Sequence, residues 1–323
     1  MRPLKFHPIL KQTLWGGERI IPYKELASGL SRVGESWELS GMPGSESVVA
    51  EGPWAGSTLS ELIGRFGAEL LGKANYARFG QEFPLLVKFI DAREDLSIQV
   101  HPDDELARKR HGKSGKCEMW YVLEAEPGAS LLTGFSRPIA PAEYERRVAD
   151  NTLTDVLNRQ AIASGDVFYL PAGRVHSIGK GSFIVEIQQS SDSTYRIYDF
   201  DRRDAAGNSR ELHTELAREA IDFESSENSR ITYAPENNQE VRLVTTPYFT
   251  TSLYTLTART RCDWSATDSF VAIVLLQGSG SLTDNEGNRI DVRQGETWLL
   301  PASKQWTEIT PNTAPLRLLT SRI

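Results

Sequence analysis

Gly165-Asp166-Val167-Phe168-Tyr169-Leu170-Pro171-Ala172 recurs in this chain as Gly295-Glu296-Thr297-Trp298-Leu299-Leu300-Pro301-Ala302, every residue 130 positions after its counterpart. Each copy opens with glycine and an acidic residue, as a tight turn does, and runs through four residues that favour extended backbone. Each stops at a proline, which has no N–H to continue a ladder. A turn–strand–turn unit repeated at a fixed offset marks a duplicated β-domain. The chain is therefore expected to be mainly β, with two related jelly-roll barrels and a few added helices.

The remaining sequence agrees with that reading. Short β-branched or aromatic runs at 85–90, 119–123, 183–188, 248–257 and 271–276 are separated by Gly, Pro, Asn and Asp. Helices are expected in three places. Residues 58–72 carry Leu59, Leu62, Ile63, Phe66, Leu70 and Leu71 at helical spacing, with Thr58 and Glu61 as a capping box and Gly72 at the end. Residues 141–158 begin with Pro141 and break near Asp150-Asn151, and 211–221 are a weaker third case. A polar stretch at 225–240 is the expected junction. It divides the chain into a metal-binding barrel with helical insertions over 1–235 and a metal-free barrel over 236–323.

Composition excludes several classes of function. The 323 residues carry 36 Lys and Arg against 43 Asp and Glu, a formal charge of −7, which disfavours a general nucleic-acid or membrane-surface binder. The densest apolar run, Phe270 to Leu276, is far short of the roughly 20 residues a spanning helix needs. With only Cys117 and Cys262, neither a disulfide scaffold nor a cysteine-ligated zinc site is available, and a cytoplasmic location is expected.

The two copies differ in their capacity to hold a metal. The first continues Pro171-Ala172-Gly173-Arg174-Val175-His176, whereas the position equivalent to His176 in the second is Trp306. Upstream, Gln99 and His101 stand two apart, so a strand aims both at one face, and Glu118 opens another strand. Two imidazoles, a carboxylate and an amide oxygen make a mixed site for zinc or another divalent ion. Singly, each residue has an ordinary reading: a hydrogen-bonded histidine, or a solvated glutamate beside Lys116.

Their order points to families. The spacing from Gly165 through Pro171 and Gly173 to His176 matches the second motif of the cupin superfamily, and Gln99-x-His101 with Glu118 resembles its first motif, with Gln for the leading His. Leu14-Trp15-Gly16-Gly17, Gly34-Glu35-Ser36-Trp37-Glu38-Leu39-Ser40, and Phe83-Pro84-Leu85-Leu86-Val87-Lys88-Phe89-Ile90-Asp91 resemble the type I phosphomannose isomerases in their shorter bacterial form. So do Lys116-Cys117-Glu118 and Thr194-Tyr195-Arg196-Ile197-Tyr198-Asp199. The resemblance implies two cupin-type barrels and one zinc ion in the first, held by Gln99, His101, Glu118 and His176. It makes Arg196 the active-site arginine and places Ser97 near the sugar phosphate. The implied reaction interconverts mannose 6-phosphate and fructose 6-phosphate.

That reaction moves a proton between C2 and C1 through an enediolate. Lys116, beside a ligand carboxylate, is the expected base, with Glu186, Asp192 or metal-bound water as rivals. Arg196 is expected to stabilise oxyanion charge. A dianionic phosphate needs cations on an acidic protein, and Lys113, Arg202 and Arg203 are the candidates, with Ser97 as hydroxyl donor. Trp15, Trp37, Trp54 and Trp120 are either a sugar-stacking surface or packing. The expected partner is a small sugar phosphate, with no nucleic acid or membrane, and the chain is either a monomer or a homodimer. Competing readings are a sugar-phosphate sensor without turnover, an iron-dependent dioxygenase on the same fold, and a structural two-barrel module.

Overall fold

The two copies of the repeated octapeptide occupy equivalent places in two sheets of the same design. In the computed structural model, which describes residues 1–224 and 228–323, Val167–Leu170 lies between Arg230–Ile231 and Glu118–Ala125. That sheet continues through Ser182–Gln189, Leu85–Ala92, Ile9–Gly17 and Val33–Leu39. Thr297–Leu300 lies between Leu4–Lys5 and Val271–Gln277, and its sheet continues through Leu316–Arg322, Thr250–Leu256 and Val241–Thr245. Two smaller sheets repeat one another in the same way. One runs Leu157–Ala161, Ser130–Phe135, His176–Ile178, Ile98–Val100, Tyr195–Tyr198; the other runs Arg289–Arg293, Ser279–Asp284, Trp306–Pro311, Thr260–Asp263.

Each large sheet closes over a small one, and the apolar clusters show which faces meet. Trp120, Ile184 and Phe168 of the first large sheet pack with Leu131 and Ile178 of the five-stranded sheet inside one barrel. Ile273, Leu275 and Trp298 pack with Leu282 and Ile309 inside the other. The opposite faces of the large sheets meet through Met119, Tyr121, Val185 and Ile187 on one side and Ala272, Val274 and Leu319 on the other. Strand alternation therefore separates Met119 and Tyr121, at the contact between barrels, from Glu118 and Trp120, which point inward. Buried Lys24 adds a polar tie, its Nζ 2.8 Å from Glu38 and hydrogen-bonded to the Gly295 main-chain oxygen.

Helices cover what the sheets leave open. Thr58 and Glu61 form the expected capping box on Leu59–Phe66, and the apolar face continues after Gly67 in Ala68–Leu71. Gly72 ends that piece at φ +94°, where an added Cβ would stand 2.1 Å from the Asp268 main-chain oxygen. A new helix, Lys73–Phe79, follows. The helix expected over 141–158 is shorter: Pro141–Ala149 ends at Asp150, with Asn151 at positive φ. Leu153–Val156 is a 3-10 turn, and Leu157–Ala161 is a strand paired with Ser130–Phe135. The third helix spans Thr214–Ala220.

Asp104–His111 is a helix with no strong apolar period to announce it, since Ala107 is its buried residue; the signals were Asp103 as N-cap and left-handed Gly112 at the end. Of the junction at 225–240, Ser225, Ser226 and Glu227 lie outside the described residues, and Arg230–Ile231 returns to the edge of the first large sheet. No helix among the described residues is long and apolar enough to cross a membrane.

Candidate metal centre

The five-stranded sheet lays the site out by register. Arg196 pairs with Gln99, Gln99 with His176, and His176 with Thr133, so one row crosses four strands. Directly opposed residues share a face. Ile98 and Val100 lie in the cluster that packs under the helices Pro141–Ala149 and Thr214–Ala220, which turns Gln99 into the barrel. His101 follows the strand, and Glu118 enters from the large sheet.

These side chains converge without satisfying one another. Glu118 Oε1 is 3.2 Å from His176 Nε2, Glu118 Oε2 is 3.4 Å from His101 Nε2, and Gln99 Nε2 is 3.4 Å from His176 Nε2. His101, Glu118 and His176 are all buried, and their ligand atoms lie within 4.8 Å of one another. Both imidazoles are anchored from behind: His101 Nδ1 stands 2.9 Å from the Ser193 carbonyl and His176 Nδ1 2.8 Å from that of Arg174. A carbonyl accepts only, so each Nδ1 carries the hydrogen and each Nε2 turns a lone pair into the cage. His101 Nε2 and Glu118 Oε1 nevertheless have no hydrogen-bond partner, and Glu118 Oε2 has only the Lys116 ammonium. Buried acceptors left bare are costly, and a divalent cation satisfies this donor set.

The electrostatics suit a ligand set. Burial, reinforced by Lys116, pushes His101 down to about 3, and burial also lowers His176, so both rings are neutral. Burial alone would raise Glu118, but the Lys116 ammonium above all outweighs it and holds the carboxyl well below its usual range. Lys116 Nζ, itself buried, is 3.0 Å from Glu118 Oε2.

With this geometry in hand, comparison with known proteins is informative. Residues 4–132 match the family described as phosphomannose isomerase type I, catalytic domain. The chain is 34% identical over 303 residues to mannose-6-phosphate isomerase ManA of Bacillus subtilis, with 93% of each chain covered. The family is settled by that match. The chain is a type I phosphomannose isomerase. It is also 33% identical to the mannose-6-phosphate isomerase of Streptococcus mutans, covering 94% of each, and superposes on the crystal structure of the Bacillus subtilis enzyme with a TM-score of 0.90 at 30% identity over all of both chains. The cupin fold expected from the sequence is the fold observed.

The other residues singled out in the isomerase's sequence differ in burial and in the partners they already have. Ser97 is buried beside it, Oγ 3.4 Å from Gln99 Oε1. Arg196 donates from Nη1 to the Glu211 carbonyl at 2.9 Å and keeps a buried Nε without a partner; burial and then Arg210 lower its pKa. Arg202 donates to the Asp95 carbonyl and has a second nitrogen, Nη1, buried and unpartnered. Lys113 is on the rim, half-exposed and paired with Asp192 at 2.8 Å, which also puts Asp192 outside the cage. Trp15 and Trp120 are barrel core, Trp54 packs edge-on against Phe66, and Trp37 lies between Lys11 and Lys88.

One interior residue, Lys88, had no role in the sequence reading. Trp120, Glu186, Lys88 and Trp37 are paired in register across four strands of the large sheet. Glu186 accepts from Trp120 Nε1 at 3.0 Å and pairs with Lys88 Nζ at 3.0 Å. Lys88 is buried; burial lowers its pKa, but Glu186 and Glu35 more than reverse that and keep it charged. Its signal was a single lysine inside Leu85-Leu86-Val87-Lys88-Phe89-Ile90. The same register in the second barrel gives Val271 for Glu118, Thr320 for Glu186 and Ser252 for Lys88, so that barrel keeps none of these charges.

Proposed function

We propose that this isomerase interconverts mannose 6-phosphate and fructose 6-phosphate in the first barrel, at a single zinc ion held by Gln99, His101, Glu118 and His176. The observation that carries the reading is the convergence of the buried His101, Glu118 and His176, with His101 Nε2 and Glu118 Oε1 left without a hydrogen-bond partner. When bound there, the dication supplies a Lewis acid for the substrate's carbonyl and hydroxyl oxygens.

Lys116 is assigned to proton transfer between C1 and C2, since its amine is buried beside the ligand carboxylate. Glu186 is the weaker choice, because Trp120 and Lys88 already occupy its oxygens, and Asp192 sits on the rim. Arg196 directs the unpartnered side of its guanidinium at charge developing on the enediolate. Arg202 offers a free donor, Nη1, for the phosphate; Ser97 joins it by turning its hydroxyl away from Gln99, and Lys113 by exchanging Asp192 for the phosphate. Domains of 1–235 and 236–323 fit the strand order, with the qualification that Leu4–Lys5 pairs with Thr297–Leu300 of the second barrel. Two free buried cysteines fit a cytoplasmic protein.

The test is a coupled isomerase assay on the purified chain before and after chelation, with elemental analysis. Turnover of mannose 6-phosphate, lost on chelation and restored by zinc at one ion per chain, is expected. Undiminished turnover in fully stripped protein would overturn the metal assignment.

A further inference from the structure

Tyr195–Tyr198 is an edge strand, and the outward main-chain groups of Arg196 are taken up by one residue. The His213 N–H donates to the Arg196 carbonyl at 2.6 Å, and the Arg196 N–H donates to His213 Nδ1 at 3.2 Å. An ordinary neighbouring strand would supply a carbonyl as that acceptor. His213 cannot, because its own carbonyl accepts the Ala217 N–H at 2.8 Å and so begins the helix Thr214–Ala220. The imidazole nitrogen stands in for it. Two residues earlier, the Glu211 carbonyl accepts from Arg196 Nη1. The 211–213 segment therefore grips Arg196 by both main-chain groups and by its guanidinium.

We propose that His213 is a positioning residue for the isomerisation, completing the sheet edge through its ring nitrogen and so fixing the guanidinium of Arg196 toward the cage. The inference rests on the role given to Arg196 above. Its physical basis is that Arg196 stands opposite Gln99 with its N–H and C=O turned outward, the wide arrangement in which paired side chains come closest. Without the Nδ1 acceptor the Arg196 N–H is orphaned, the 211–213 segment loosens, and the Glu211 carbonyl that steers the guanidinium moves with it.

The experiment compares the metal-loaded full chain carrying His213→Ala, His213→Gln, His213→Asn or Arg196→Lys. Asn places an acceptor oxygen where Nδ1 stands, whereas Gln keeps bulk and polarity but carries its amide one bond too far. His213→Ala and His213→Gln should lower kcat roughly five- to tenfold with KM within about twofold, the scale of one lost hydrogen bond, and His213→Asn should recover to within about twofold. In an Arg196→Lys background, His213→Ala should add no further loss. An Asn variant as slow as Gln, or a loss that persists undiminished in that background, would overturn the proposal. A normal rate for His213→Ala beside a slow Arg196→Lys overturns the role of His213 alone; a normal rate for Arg196→Lys overturns the reading of Arg196, and this proposal with it.

Discussion

Gln99 and His176 stand opposite each other on neighbouring strands, with Gln99 Nε2 3.4 Å from His176 Nε2, although 77 positions separate them in the chain. The pair shows how the barrel builds its centre: register places residues on one row, and alternation turns that row inward. Glu118 reaches the same point from the opposing sheet. Replacing Glu118 with Gln should remove the anionic ligand and leave Lys116 beside a neutral amide. Metal retention should fall at least about a hundredfold, beyond the range for groups that merely orient ligands, with turnover falling alongside. Elemental analysis after dialysis checks this, and a variant that retains stoichiometric metal would refute it.

The stripped protein should be acid-sensitive. His101 has a usual value of 6.5 and is held at about 3 when folded, so between those values the unfolded chain takes up a proton that the folded one does not. Stability is present above pH 6.5 and declines as pH falls, by about 1.4 kcal/mol per pH unit for that group alone. His176 shifts in the same direction, and Glu118, also lowered, adds a loss below its usual 4.5. Denaturant melts of chelated protein at pH 7 and pH 5 should therefore diverge in that sense; equal midpoints would count against the burial of these rings.

The barrels were legible because a turn, a strand and a proline recur at one offset, and each element is specified locally. The candidate ligands were legible by their order in the sequence, since Gln99-x-His101 is a strand pattern and His176 follows a marked turn. Less was readable where function depends on pairing. Lys88 looks like an interruption of an apolar strand until Ser182–Gln189 is set beside it and Glu186 supplies its partner. Leu4–Lys5 is too short to show any period, and its place in the second barrel depends wholly on tertiary contact. His213 could not be connected to Arg196 without seeing the sheet edge.

The Lys88–Glu186 pair yields a sharp contrast. Lys88→Met should leave the buried Glu186 carboxylate uncompensated and destabilise the fold by about 3–5 kcal/mol. The double replacement Lys88→Met with Glu186→Leu should recover most of that stability, because both charges are gone. It should not recover turnover if the charged pair serves the reaction. Chemical denaturation of the single and double variants with parallel assays separates the two effects, and a double variant as unstable as the single one would contradict the pairing.

Gly72 provides a test remote from the chemistry. Its φ of +94° is strained for any residue with a Cβ, and the added carbon would press to 2.1 Å from the Asp268 carbonyl, which lies in main chain and cannot simply rotate away. Gly72→Ala should lower stability by about 1–3 kcal/mol, the range for a residue forced into a sparsely populated conformation, while kcat and KM of the folded fraction stay unchanged.

The second barrel should resist being given a metal by one substitution. By the fixed offset Trp306 matches His176, but the pairing of Ile309 with Leu282 corresponds to that of Ile178 with Leu131, so Thr307 takes the inward place of His176 and Trp306 turns outward against Arg261, 4.2 Å from its ring centroid; Val271 stands where the first barrel has Glu118. An imidazole at 306 would stand on the outer, partly exposed face of its strand, away from the interior formed by Ile273, Leu275 and Trp298, with no counterpart of Glu118 to share a dication. Trp306→His should therefore keep one metal ion per chain by elemental analysis and near-normal turnover. A second tightly held ion would contradict the outward placement of residue 306.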